Sequence, residues 1–126
     1  MKHLQTLNLC FRLKTSGIPL KFCTNETQCT REKLVTKLNS LGFCLKLDEI
    51  YSPAPLAVHY IKENNLSPYL LVHKEAIDDY SSVMQSNPNC VLVGDAAEEF
   101  TYENMNKAFR VLLESENPTI VALGTG

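Results

Sequence analysis

Thr24, Asn25 and Thr27 stand together in "FCTNETQ", residues 22–28, directly after a mostly apolar run. Two hydroxyls and one amide at the end of a buried strand can grip an anion, because the tip of a strand in an open α/β sheet combines free backbone N–H groups with a following helix N-terminus. The same residues also make an ordinary Asx or Ser/Thr turn, which does no more than end a strand. By local sequence both readings stand.

Other reactive residues offer less. His3, His59 and His73 share no metal-ligand spacing, and none adjoins a nucleophile pattern. Cys10, Cys23, Cys29, Cys44 and Cys90 are odd in number and contain no C-x-x-C pair, which argues against a disulfide framework and against a zinc site. A reducing compartment follows as the expectation, the cytoplasm with the nucleus beside it. Asn25-Glu26-Thr27 and Asn65-Leu66-Ser67 match the glycosylation sequon only by chance on that reading. In "VGDAAEEF", Gly94-Asp95 follows an apolar run and could meet magnesium. A phosphoryl-transfer site needs several converging carboxylates, however, and Asp95 has no evident companion. Asp78-Asp79 reads as the solvated face of a helix, and Asp48-Glu49 as a turn.

The elements that would position these residues alternate. Ile18 to Cys23 fits a strand buried on both faces. Thr30 then caps a helix with Leu34, Leu38 and Leu41 on one side, stopped by Gly42. Ser52-Pro53 starts a second helix in which Leu56, Tyr60 and Ile61 share a face, ending at Asn64-Asn65. Tyr69 to Val72 and Cys90 to Val93 are further strands. From Thr101 a helix carries Met105, Ala108, Phe109, Leu112 and Leu113, Asn117-Pro118 breaks it, and Thr119 to Leu123 is a last strand. Strands alternating with helices imply an α/β fold with a largely parallel, helix-covered sheet. The best boundary lies at Leu66-Ser67-Pro68, giving parts over residues 1–67 and 68–126.

At 126 residues, 44% hydrophobic and a net charge of -2, the chain has the composition of a soluble globular protein, with no general pull towards nucleic acid. No apolar run is long enough for a membrane span. The basic, leucine-bearing N-terminus "MKHLQTLNLCFRLK" reads as an amphipathic helix on a sheet rather than a leader peptide.

"KFCTNETQ", "LGF", "SPAPLA", "SPYLLVH", "SNPNCVLVGDAAEEFTYENMNKAF" and "ALGTG" resemble the haloacid dehalogenase-like hydrolases with the larger α/β cap, within them the phosphatases of phosphohistidine, phospholysine and inorganic pyrophosphate. The resemblance runs from about Arg12 to Gly126 and covers about the middle half of a complete member. It implies a partial Rossmann-like hydrolase core over residues 1–67, then the first part of the cap over 68–126. In such enzymes an aspartate forms an aspartyl-phosphate, a second acid protonates the leaving group, magnesium neutralises charge and a lysine holds the phosphoryl oxygens. A Thr-Asn pair after the second core strand grips the phosphate; here it falls on Thr24 and Asn25.

The resemblance also exposes departures. Residues 1–25 contain no carboxylate, although the family's aspartate motif should precede the Thr-Asn pair. The lysine and later metal motifs of the family lie beyond the cap, and Asp95 matches the cap rather than a metal motif. The expectation is a chain inactive alone, with no catalytic residue and no metal of its own. Its family partners are phosphorylated protein side chains or pyrophosphate and a second copy joined through the cap, with neither nucleic acid nor membrane. The alternative is a non-catalytic interaction module that dimerises through the cap with a full-length paralogue.

Overall fold

The computed structural model describes residues 2–124, in two compact units: Met1–Thr24 with Arg31–Tyr51, and Asn25–Thr30 with Ser52–Gly126. All strand pairs are parallel, as the alternation of strands and helices implied.

In the first unit, helix α1 (Lys2–Thr15) is followed by strand β1 (Phe22–Cys23), helix α2 (Arg31–Ser40) and strand β2 (Ile50–Tyr51). Only Phe22↔Ile50 and Cys23↔Tyr51 are in register. The expected six-residue strand buried on both faces is therefore corrected to two residues, with Ile18 56% exposed and Cys23 also open. Local chemistry accounts for the shortening. Gly17 turns the chain with φ +78°, and Pro19 has no N–H to give a ladder. A two-stranded sheet among the described residues also leaves one edge of each strand unpaired.

Helix α2 stops where expected. Gly42 holds φ +102°, its N–H donates to Asn39 O (3.0 Å), and Phe43 N–H donates to Leu38 O (3.2 Å). These are the two bonds of a Schellman ending, which satisfies carbonyls the helix leaves open. The expected apolar side of α2 is graded: Leu34 is buried, Leu38 half-buried and Leu41 exposed. Helix α1 exists as expected, but its large side chains Leu4, Leu9 and Phe11 are exposed and its buried residue is Cys10. Its polar contacts reach the stretch after α2 rather than a sheet: His3 Nε2 meets Leu41 O at 3.1 Å, and Lys14 Nζ donates to Cys44 O and to Glu49 Oε2.

In the second unit, helix α3 (Pro53–Glu63), strand β3 (Pro68–Leu71), a run of 3₁₀ turns (Lys74–Val83), strand β4 (Cys90–Val93), helix α4 (Tyr102–Glu114) and strand β5 (Ile120–Ala122) follow in order. The sheet runs β3-β4-β5, with Tyr69↔Val91↔Ile120 in register. Side chains alternate across it, as the pleat demands. Leu70, Val72, Leu92, Val121 and Leu123 meet Ala54, Ala57 and Ile61 of α3 and Tyr80 of the 3₁₀ run, whereas Tyr69, Leu71, Val91 and Val93 meet Ala108, Val111 and Leu112 of α4. One sheet thus supports a core on each face.

Two helix faces differ from expectation. On α3 the buried residues are Ala54, Ala57 and Ile61, while Leu56 is 72% exposed and Tyr60 46%. On α4 the core is met by Ala108, Val111 and Leu112, while Met105, Phe109 and Leu113 are exposed. Small Ala54 and Ala57 let α3 pack closely in its core, and Ala108 does the same for α4 beside Val111 and Leu112. The helix ends match the sequence. Thr101 Oγ1 accepts from Asn104 N–H (3.1 Å), and Asn65 (φ +51°) closes α3 with Leu66 N–H donating to Ile61 O (2.9 Å).

Candidate functional site

Thr24 extends the first unit's parallel ladder by one bond beyond β1, its N–H donating to Tyr51 O (2.9 Å). It therefore stands at the carboxyl end of a parallel strand, the edge at which open α/β sheets place ligands. Thr24 is half-buried and Asn25 is exposed. The nearest lysine in sequence, Lys21, is engaged elsewhere: its ammonium donates to Asp48 O (2.6 Å) and lies 5.5 Å from the centre of the Tyr51 ring. Close by in the same unit, Glu49 accepts from Lys46 N–H (2.8 Å) and pairs with Lys14 (3.0 Å). The Lys46 backbone bond, then the Lys14 ammonium, hold its carboxyl below the ordinary carboxylate range. Asp48-Glu49 was read as a turn, and it is one turn of 3₁₀ helix over Leu47–Glu49.

The segment Asn25–Thr30 belongs to the second unit, where Asp95 holds it. Gln28 Nε2 donates to Asp95 Oδ2 (2.8 Å), and Asp95 N–H donates to Thr27 Oγ1 (3.3 Å). The other carboxylate oxygen, Asp95 Oδ1, accepts from Ala97 N–H (3.3 Å), an Asx turn supporting an alanine at φ +48°. The sequence offers Asp95 as a magnesium contact without a companion, and as a cap residue by resemblance, and does not reveal this role. Thr27 and Gln28 lie 68 and 67 residues away from it, and no periodicity or motif connects positions so distant.

Asp95 has no companion ligands for a magnesium site among the described residues. Both its oxygens already accept hydrogen bonds, and no group of three or more His, Cys, Asp or Glu among the described residues could hold a metal ion. No chemical step through magnesium is therefore derived for this chain. The histidines have ordinary partners as well: His59 faces Glu63 at 3.3 Å, and His73 Nδ1 accepts from Glu75 N–H (3.1 Å). None of the five cysteines forms a disulfide, Cys10 and Cys90 are buried, and burial pushes the Cys90 thiol up despite a backbone hydrogen bond with Ser67. Asp78 is exposed and Asp79 half-buried, on a helical run of the 3₁₀ type. Among the described residues, no helix is long and apolar enough to cross a membrane.

A parallel α/β fold with a hydroxyl-amide turn at a strand's carboxyl end offers a place where ligands commonly bind. The haloacid dehalogenase-like hydrolase family profile matches residues 6–87, and the chain belongs to that family. The structure of p-nitrophenyl phosphatase from Archaeoglobus fulgidus aligns with a TM-score of 0.81 at 20% identity, covering 95% of this chain and 48% of that one. That likeness shows a shared fold.

In sequence, the chain is 50% identical over 115 residues to phospholysine phosphohistidine inorganic pyrophosphate phosphatase of Danio rerio, covering 91% of this chain and 43% of the relative. The Homo sapiens protein of the same name is 47% identical over the same shares. A haloacid dehalogenase-like hydrolase domain-containing protein 2 of Bos taurus is 34% identical over 103 residues, 82% of this chain and 40% of the relative. The chain thus spans less than half the length of the curated relatives it matches.

Proposed function

We propose that Thr24 and Asn25 are the phosphate-binding turn of a haloacid dehalogenase-like phosphatase, and that this chain carries that turn without the rest of the catalytic set. In complete form such an enzyme would hydrolyse phosphohistidine, phospholysine or inorganic pyrophosphate through an aspartyl-phosphate with magnesium. Residues 1–67 would be the core part and residues 68–126 the start of the cap. The observation that carries the incomplete set is that residues 1–25 contain no carboxylate, so none of them is the aspartate that would attack phosphorus. Lys21, held by Asp48 O and the Tyr51 ring, does not supply the lysine that steadies a phosphoryl group.

Support for the phosphate turn comes from its place at the end of β1, from the family match that includes it, and from the names of the relatives. The test is Thr24→Ala in this chain combined with the core segments of the Danio rerio relative that it does not match. Loss of one hydroxyl hydrogen bond to a charged phosphate should raise KM for pyrophosphate about tenfold. Unchanged kinetics would remove Thr24 from the site.

A second reading is an interaction module that pairs with a full-length paralogue through the cap. The exposed row Met105, Phe109 and Leu113 on α4 favours it, because an apolar helix face left open is a common docking surface. Co-sedimentation with the full-length Danio rerio relative separates the two: a stable complex that hydrolyses nothing additional supports the module.

A further inference from the structure

We propose that Asp95 is a positioning residue for the phosphate turn. The inference rests on the reading of Thr24 and Asn25 as phosphate ligands, and it adds a residue that the turn's own sequence does not reveal. An exposed amide can aim at a ligand only if the backbone that carries it is held, since a free loop residue samples many conformations. Asn25 lies two residues before Thr27 and three before Gln28, and both of these are tied to Asp95. The main-chain N–H of Asp95 donates to Thr27 Oγ1 at 3.3 Å, and its carboxylate accepts the Gln28 amide at 2.8 Å. Two anchors one residue apart fix both the position and the direction of a short segment.

Asp95 is itself well placed to serve as the anchor. It lies two residues past the end of β4, and its second oxygen accepts from Ala97 N–H at 3.3 Å, so the side chain is braced on its own loop before it reaches Gln28. A carboxylate suits the post because it accepts on both oxygens and strengthens each bond by its charge. An asparagine there could accept from only one of the two donors. Gln28 is also engaged through its backbone, its N–H donating to Glu26 Oε1 at 2.7 Å, so the anchored residue does not swing on a loose turn.

The experiment uses the 126-residue chain and inorganic phosphate, followed by residue-resolved nuclear magnetic resonance. Two readouts are taken from each variant: exchange protection of the Gln28 side-chain amide and the Ala97 N–H, and the phosphate concentration that half-saturates the shift of Asn25. Asp95→Ala should lower protection at both amides at least threefold and raise the half-saturating phosphate about three- to tenfold. Gln28→Glu should do the same at Asn25 by placing two carboxylates together. Combining Gln28→Glu with Asp95→Asn should restore the phosphate response to within twofold, the amide at position 95 donating to the carboxylate at position 28. Asp95 and Gln28 are exposed, so the thermal midpoint of every variant should stay within a few degrees of the parent.

Protection lost with the phosphate response unchanged would overturn the positioning role, as would a combined variant no better than Gln28→Glu alone. If phosphate shifts neither Thr24 nor Asn25 in the parent chain, the phosphate-turn reading fails and the positioning role with it. The protection data would then still report separately whether Asp95 holds the segment.

Discussion

The two units of this chain are built from the same parallel strand-helix chemistry, yet they are unequal. The first has two paired residues per strand, and its strand β1 is half-open to solvent. The second has three strands with a core on each face, and Ile61, Tyr80, Cys90 and Leu92 are fully buried. The difference shows where cooperative stability resides, because stabilisation scales with apolar area removed from water rather than with the number of elements. Within the first unit Thr24 continues the β1 ladder, and within the second Asp95 holds Thr27 and Gln28.

The inequality can be broken most strongly in the second core. Ile61→Ala removes a fully buried side chain from α3 and should cost about 2–5 kcal/mol in urea unfolding. Leu56→Ala, on the same helix but 72% exposed, should cost less than about 1 kcal/mol. Equal losses would mean that the Leu56 face is covered in solution.

A smaller effect sharpens the picture of the first unit. Glu49 has its pKa lowered on folding by the Lys46 N–H and the Lys14 ammonium, so it contributes stability above its unfolded value of 4.5 and loses it as pH falls through the lower folded value. Glu49→Gln should therefore cost roughly 0.5–1 kcal/mol at neutral pH. That difference should shrink as pH falls below 4.5. A gap that persists undiminished at pH 2 would assign the loss to packing instead.

Local signals carried most of what was legible in the sequence. Gly42, Asn65, Ser52-Pro53 and Thr101 mark helix ends by conformational preference or by capping chemistry confined to a few neighbours, and each was readable in place. The buried faces of α3 and α4 were legible only in part: Ile61, Ala108 and Leu112 meet the core, whereas Leu56, Tyr60, Met105, Phe109 and Leu113 are exposed. Large apolar side chains give the stronger periodic signal, but the sheet accepted Ala54 and Ala57 of α3 and Ala108 with Val111 and Leu112 of α4, a choice made by the partner surface. The apolar run overstates the reach of β1, because Gly17 turns the chain and Pro19 has no N–H to give a ladder. Thr24 and Asn25 were found by their types at a strand end and given a role by resemblance. The Asp95 anchor was out of reach because hydrogen bonds between positions 27, 28 and 95 depend on the folded path of the chain.

The central claim is that a phosphate turn is present without its catalytic companions, and phosphate release tests it most directly. The purified chain is incubated with pyrophosphate and magnesium, beside a matched sample supplemented with the unmatched core segments of the Danio rerio relative. The account predicts release at the level of the protein-free blank from the chain alone and clear release from the supplemented sample. Release by the chain alone, abolished by a substitution within residues 2–124, would contradict it and reveal a nucleophile that the site as described does not contain.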